Sequence, residues 1–241
     1  MTHNDATISG LRVAVTGGTS GLGLALVRLL AAGGAHVAFV ARTAADVERV
    51  ATETGAVGIV GDVGEKDDAY PLALQITANL GGLDVLINNA SSLGPIPLSP
   101  LADTECEDLE EALRINVVAP FRLTKALFGS LAASARQGRG AVVINISSDA
   151  AVNAYPTWGA YGASKAALHH LTAIWEEESN EAGIRFLSID PGDMDTPLHA
   201  LADPEADPAT LKRPADSASE VLEAILDALS TAATLPSVGR R

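Results

Sequence analysis

Tyr161 and Lys165 stand four residues apart in a run of strong helix formers, Ala160, Ala163, Ala166, Ala167 and Leu168. On a helix that spacing puts both side chains on one face, one turn apart. A free tyrosine titrates near pH 10 and is a poor base in neutral water. An ammonium beside it favours the phenolate, so the pair is expected to lower the phenol's pKa. Such a tyrosine can give a proton to a forming alkoxide or take one back. Ser148 follows the run Ile144-Asn145-Ile146-Ser147, a strand end of the kind where open α/β sheets hold ligands. Its hydroxyl can hold a substrate oxygen and stabilise charge there, with Ser147 as a structural neighbour. Asn116 lies in a helical pattern with Pro120 four residues on. Proline has no N–H, so the Asn116 carbonyl loses its helical partner and the helix is expected to kink. A freed carbonyl can bind a water. Taken singly, each group also has an inert reading: a core aromatic, a surface base, an asparagine in solvent.

The elements that must position these groups alternate along the chain. Apolar runs rich in Val and Ile read as strands at Arg12–Thr16, His36–Ala41, Ala56–Gly61, Val85–Asn88, Ala141–Ser147 and Arg185–Asp190. Helical periodicity marks Leu22–Ala32, Ala44–Glu53, Lys66–Leu80, Glu105–Leu131, Tyr161–Glu181 and about Asp216–Ser230. Near-continuously apolar strands joined by helices predict an α/β fold: a doubly wound parallel sheet with helices on both faces. The expected organisation is one domain over 1–241, with Pro197–Pro214 as a loop or lid inside it.

The first strand runs into Thr16-Gly17-Gly18-Thr19-Ser20-Gly21-Leu22-Gly23, and a helix follows at once. That context suits a dinucleotide. Gly17 allows the tight turn, Gly21 lets backbone approach a pyrophosphate, and Gly23 lets helix and strand pack closely. The helix start then presents free N–H groups and a positive dipole end to the phosphates.

With this turn in place, the chain resembles the short-chain dehydrogenase/reductase family from about Leu11 to Thr196. The further motifs are Asp62-Val63, Asn88-Asn89-Ala90, Asn116, Ser148, Tyr161 with Lys165, and Pro191-Gly192 with Thr196. The resemblance implies a Rossmann-type oxidoreductase that moves a hydride between a nicotinamide cofactor and a carbonyl/alcohol pair. It implies Asn116, Ser148, Tyr161 and Lys165 as the catalytic group, with a water linking Asn116 to Lys165. It also implies that Asp62 bonds the adenine amino group, with Val63 beside it, and that Asn89 and Ala90 line the adenine-side ribose. Pro191, Gly192 and Thr196 would hold the nicotinamide carboxamide, with Met194 contributing backbone. Thr19, Ser20 and Leu22 complete the expected cofactor contacts. Asp62 also reads as a turn residue before Gly64.

Cofactor choice rests on the end of the second strand, Phe39-Val40-Ala41-Arg42. An acid there would bond the ribose 2′-OH of NAD(H). Ala41 occupies that place and Arg42 follows, which favours NADP(H) through an ion pair with a 2′-phosphate, with NAD(H) as the alternative. Arg42 otherwise reads as a solvated helix start. Tyr155 and Trp158 are candidate substrate walls and suggest an apolar or aromatic small-molecule carbonyl compound. A non-catalytic dinucleotide sensor is the remote alternative.

Net charge is −14, from 30 acids against 16 bases. Nucleic acid and anionic membranes are therefore not expected partners. Only 4% of residues are aromatic, so the core must come from Ala, Val, Leu and Ile. The single cysteine, Cys106, allows no internal disulfide and lies among Glu105, Glu107 and Asp108, the reverse of an activating environment. A cytoplasmic location is expected, since the first residues also lack a basic leader pattern. No metal site is expected. Gly162, Ala163, Ala166 and Ala167 permit close helix approach, which predicts a homodimer or homotetramer through helices 105–131 and 161–181. His169 and His170 read as helix surface or interface, and Glu176–Glu178 as a solvated helix end. The tail from Leu235 shows no seventh strand.

Overall fold

The computed structural model describes residues 8–232; the tail from Leu235 lies outside them. Six strands form one sheet: β1 Arg12–Thr16, β2 His36–Ala41, β3 Val57–Val60, β4 Val85–Asn88, β5 Ala141–Ile146 and β6 Ile184–Ile189. Their order is β3-β2-β1-β4-β5-β6, and all neighbours run parallel. Alternate side chains of each strand enter opposite cores. Val13 and Val15 join one core, with Phe39, Ile87 and Ile144. Ala14 joins the other, with Val40, Leu86 and Val143. Both faces are buried, which is why the strands read as continuous apolar runs.

Helices α1 (Gly21–Ala32) and α2 (Ala44–Thr54) cover the first face. The second is covered by α3 (Ala69–Leu80) and by α5 (Ala119–Arg136), which continues α4 (Cys106–Leu113). Next come α6 (Gly159–Ser179), α7 (Pro197–Ala202) and α8 (Pro214–Ala232), the last packed on α1. Among the described residues, no helix is long and apolar enough to cross a membrane.

Three expectations change in the structure. The kink expected near Asn116 is a π-helical turn, Arg114–Val118, in which the Ala119 N–H bonds the Arg114 carbonyl five residues back. One extra residue per turn is how this helix absorbs the donor that Pro120 lacks. The stretch Pro197–Pro214 is not all loop: it contains α7 and a short 3-10 turn at Pro208–Thr210, and its Lys212 bridges to Met194. Glu176 is not simply solvated. Its carboxylate accepts the Arg185 guanidinium and the Phe186 backbone N–H, which covers part of the edge of β6.

At the end of the sheet opposite the strand C-termini, Asp84 is fully buried. Its carboxylate accepts Arg12 Nη2 at 2.6 Å, the Arg12 backbone N–H at 3.0 Å and Arg139 Nη2 at 2.8 Å. Ser134 donates to it as well. Burial pushes the carboxyl up, but the Arg139, Arg12 and Ser134 hydrogen bonds outweigh it and hold Asp84 well below the usual carboxylate range. A group with a depressed folded pKa adds stability above the unfolded value, and that stability is lost as pH falls. Asp84→Asn is therefore expected to cost about 3 kcal/mol at neutral pH and less in acid, read from urea midpoints. Midpoints that stay together at pH 7 would show that the cluster is not what ties β1 to β4.

Candidate active site

A cleft of about 660 Å³ opens at the C-terminal strand ends, within the range of about 300–1,000 Å³ typical of ligand pockets. It lies across β1 and β4, where the strand order reverses. Below it, Thr16 Oγ1 accepts the backbone N–H of Asn89 at 2.9 Å and of Ala90 at 3.0 Å. Asn89 Nδ2 returns a bond to the Thr16 carbonyl at 2.8 Å. Gly17 turns the chain with φ +69°, which only glycine adopts without cost. A Cβ on Gly23 would lie 2.1 Å from the Gly17 carbonyl oxygen and 2.5 Å from Asn89 Nδ2. Gly23 thus lies beneath the turn rather than on the cleft wall. Asn89 reaches the wall, but its amide serves the turn.

Thr19, Ser20, Gly21 and Leu22 line the cleft at the head of α1. Ser20 is the N-cap residue, with extended backbone and no side-chain cap bond. The first amides of α1 therefore have no side-chain acceptor, a setting that suits a pyrophosphate. Toward the β3 edge, Arg42 is exposed and lines the cleft with Asp62 and Val63. Asp62 Oδ1 accepts the Gly64 N–H at 2.9 Å, so the residue also builds the turn.

On the other side of the switch point, Ser148, Tyr161 and Lys165 line the same cleft. Ser148 caps the short turn after β5, accepting the Ala150 N–H at 3.2 Å. Lys165 is buried, and its ammonium donates to the Ile146 carbonyl at 2.8 Å, 5.4 Å from the Tyr161 ring centre. Burial brings the Lys165 ammonium down to about 8. The expected lowering of the Tyr161 phenol is not found in the chain itself. Burial pushes it up to about 12; the Ser148 and Ser91 hydroxyls pull it down, while Asp190 and Asp149 add to the rise. Desolvation of an anion here exceeds what the two serine hydroxyls return.

Asn116 is buried and does not reach the cleft wall. Its Nδ2 donates to the Ser92 carbonyl at 2.7 Å and to Ser164 Oγ at 2.8 Å; its Oδ1 accepts the Ser92 N–H at 2.8 Å. Ser164 in turn donates to the Tyr161 carbonyl at 2.7 Å. The side chain therefore braces the loop after β4 against α6.

Pro191, Gly192, Met194 and Thr196 line the cleft after β6. The Thr196 hydroxyl caps α7, accepting the His199 N–H at 3.2 Å, and its methyl faces Gly21. Trp158 lines the cleft, with its ring centre 5.7 Å from that of Tyr161. Tyr155 does not; it is exposed, and its hydroxyl donates to Asp149 at 2.5 Å. Thr157 between them has φ +72°, a rare conformation for a β-branched residue.

Sequence reasoning gives no role to Thr16, Ser164 or Asp190, while Ser92 and His199 fall in the segments 91–97 and 198–209 expected to contact substrate. Asp190 lines the cleft, with Oδ1 accepting the Gly192 N–H at 2.9 Å. The position of Asp190 beside Pro191-Gly192 is the signal that could have found it. The others depend on contacts between distant segments. Among the described residues, no group of three or more His, Cys, Asp or Glu side chains could hold a metal ion.

A family model described as short chain dehydrogenase matches residues 12–207. A short chain dehydrogenase of Pseudocercospora fijiensis is 33% identical over 204 residues, 81% of this chain and 63% of that protein. The Bos taurus dehydrogenase/reductase SDR family member 4 is 37% identical over 183 residues, 74% of this chain and 63% of that protein. The chain thus spans less than two thirds of the length of these two curated relatives. A short chain dehydrogenase of Escherichia coli CFT073, solved in complex with NADPH, superposes with a TM-score of 0.83 at 28% identity, covering 92% of both chains.

Two outcomes follow from this geometry. Gly23→Ala should break the turn and cost at least about 100-fold in dinucleotide affinity by titration, because the clash falls on backbone. Lys165→Met should raise stability by about 1–3 kcal/mol near pH 7. The folded Lys165 pKa lies below its unfolded value, so burial of its charge destabilises the fold at neutral pH, and the cost fades as pH rises past about 8. A less stable Lys165→Met protein would mean that the bond to Ile146 outweighs desolvation.

Proposed function

The chain belongs to the short chain dehydrogenase family, and on that premise we propose that it is an NADP(H)-dependent oxidoreductase. It interconverts a carbonyl compound and its alcohol, with Tyr161 as general acid and base. The observation that carries this reading is the meeting of Tyr161, Ser148 and Lys165 on the wall of a cleft that also holds the glycine turn. Dinucleotide phosphates would rest on the amides of Thr19 to Leu22. Arg42, exposed at the end of β2, is the residue for a 2′-phosphate, and Ala41 beside it offers no repelling carboxylate. The E. coli neighbour bound to NADPH supports the same preference.

When bound, the cofactor supplies or accepts the hydride. Ser148 holds the substrate oxygen with its hydroxyl. Tyr161, protonated across the neutral range, gives that oxygen its proton in reduction and takes it back in oxidation. Lys165 sets a positive charge beside the phenol ring, and Asn116, through Ser92 and Ser164, keeps α6 in place. The chain acts as a homo-oligomer through α4–α5 and α6. Exposed Phe121 on α5 and Ile174 on α6 support that pairing.

Tyr161→Phe removes the proton donor and should lower turnover by at least about 1,000-fold in steady-state rates, while NADPH titration still shows binding. Because the phenol sits high, alcohol oxidation should climb with pH from about 6 to about 10, whereas carbonyl reduction should not. The double change Ala41→Asp with Arg42→Ala should turn the preference from NADPH to NADH, read as two dissociation constants. An unmoved ratio would remove Arg42 from the phosphate site.

A further inference from the structure

We infer that the half of the cleft around Tyr161 takes a neutral, apolar carbonyl compound and rejects one that carries a carboxylate. This rests on the oxidoreductase reading above and adds to it the chemistry of the substrate.

Carbon surrounds the phenol from three separate segments. Tyr161 forms a buried cluster with Leu93, from the loop after β4, and Ala150. Trp158 packs on it from before α6, and Leu198 and Ala202 pack on it from α7. Two more cleft-lining side chains lack full protein cover: Ile96 is 55% exposed and Leu201 is 47% exposed. Apolar surface facing a cavity is what an apolar ligand removes from water.

Charge points the same way. Among the described residues that line the cleft, the cationic groups are Arg42, Lys165 and, when protonated, His199. Arg42 follows β2, three strand positions from β5, or about 14 Å. Lys165 is buried and engaged with the Ile146 carbonyl. His199 has Nε2 3.9 Å from an Asp193 carboxylate oxygen, and its Nδ1 is buried without a partner. The same half carries Asp149, Asp190 and Asp193. A carboxylate set against Leu93, Trp158 and Leu201 would lose its water and find no exposed cation, since Lys165 is engaged and the open His199 nitrogen is buried. It would also lie among three acids, and like charges side by side are how sites refuse wrong ligands.

The test uses the protein saturated with NADP⁺ and two ketones of similar shape, 4-ethylacetophenone and 4-acetylbenzoate, titrated by calorimetry. The neutral ketone should bind at least about tenfold more tightly. Leu201→Ala should weaken the neutral ketone by about fivefold and narrow the gap. Equal or tighter binding of 4-acetylbenzoate overturns the inference, and so does the absence of saturable binding of either ketone. NADP⁺ binding, measured first on the same sample, separates the two levels. Its loss tells against the oxidoreductase reading. Its presence with the wrong ligand order tells against the substrate class alone.

Discussion

Thr16 joins β1 to the loop after β4, and the cleft depends on that junction. At the reversal of strand order, the chains leaving β1 and β4 turn to opposite faces of the sheet. The crevice between them exposes backbone that neither strand can satisfy. One hydroxyl accepts two successive amides, Asn89 and Ala90, and the Asn89 side chain returns a bond to the Thr16 carbonyl. The turn at Gly17 and the start of α1 are then held in one position. Gly23 is bare because any side chain there would enter this knot.

Across the junction, the catalytic candidates are governed by desolvation more than by attraction. Burial acts on both members of the pair, raising the phenol and lowering the ammonium. Both shifts run toward the neutral form, but an ammonium at about 8 still carries its charge at pH 7. For a proton donor to a forming alkoxide this is useful, since the phenol keeps its proton until the substrate oxygen needs it. It also means that the spacing of Tyr161 and Lys165 sets proximity, while the surroundings set protonation.

Much of this architecture is legible in the amino-acid sequence. All six strands lie within one residue of their expected ends, because buried parallel strands carry a near-unbroken apolar signal. The glycine turn and the pair on α6 follow from spacing alone. What stays hidden depends on contacts between distant segments. Nothing local marks Ser164 as the link from Asn116 to Tyr161, or Thr16 as the acceptor of two amides. Tyr155 and Trp158 look alike in sequence. With the left-handed Thr157 between them, Trp158 lines the cleft, while Tyr155 is exposed and bonded to Asp149. The tail from Leu235 falls outside the described residues.

The places where local rules fail are also where the candidate chemistry sits. Asn116 is a polar side chain buried in a helix, Lys165 is a buried ammonium, and Thr157 is a β-branched residue at positive φ. Each costs stability where it stands. Two of them are held by polar partners: Ser92 and Ser164 for the amide, and the Ile146 carbonyl for the ammonium. A chain selected for stability alone would fill these positions with leucine, methionine and glycine. That it keeps the costly residues, with Lys165 5.4 Å from the Tyr161 ring and Asn116 tied through Ser164 to the Tyr161 carbonyl, is a physical reason to put the reacting oxygen beside Tyr161.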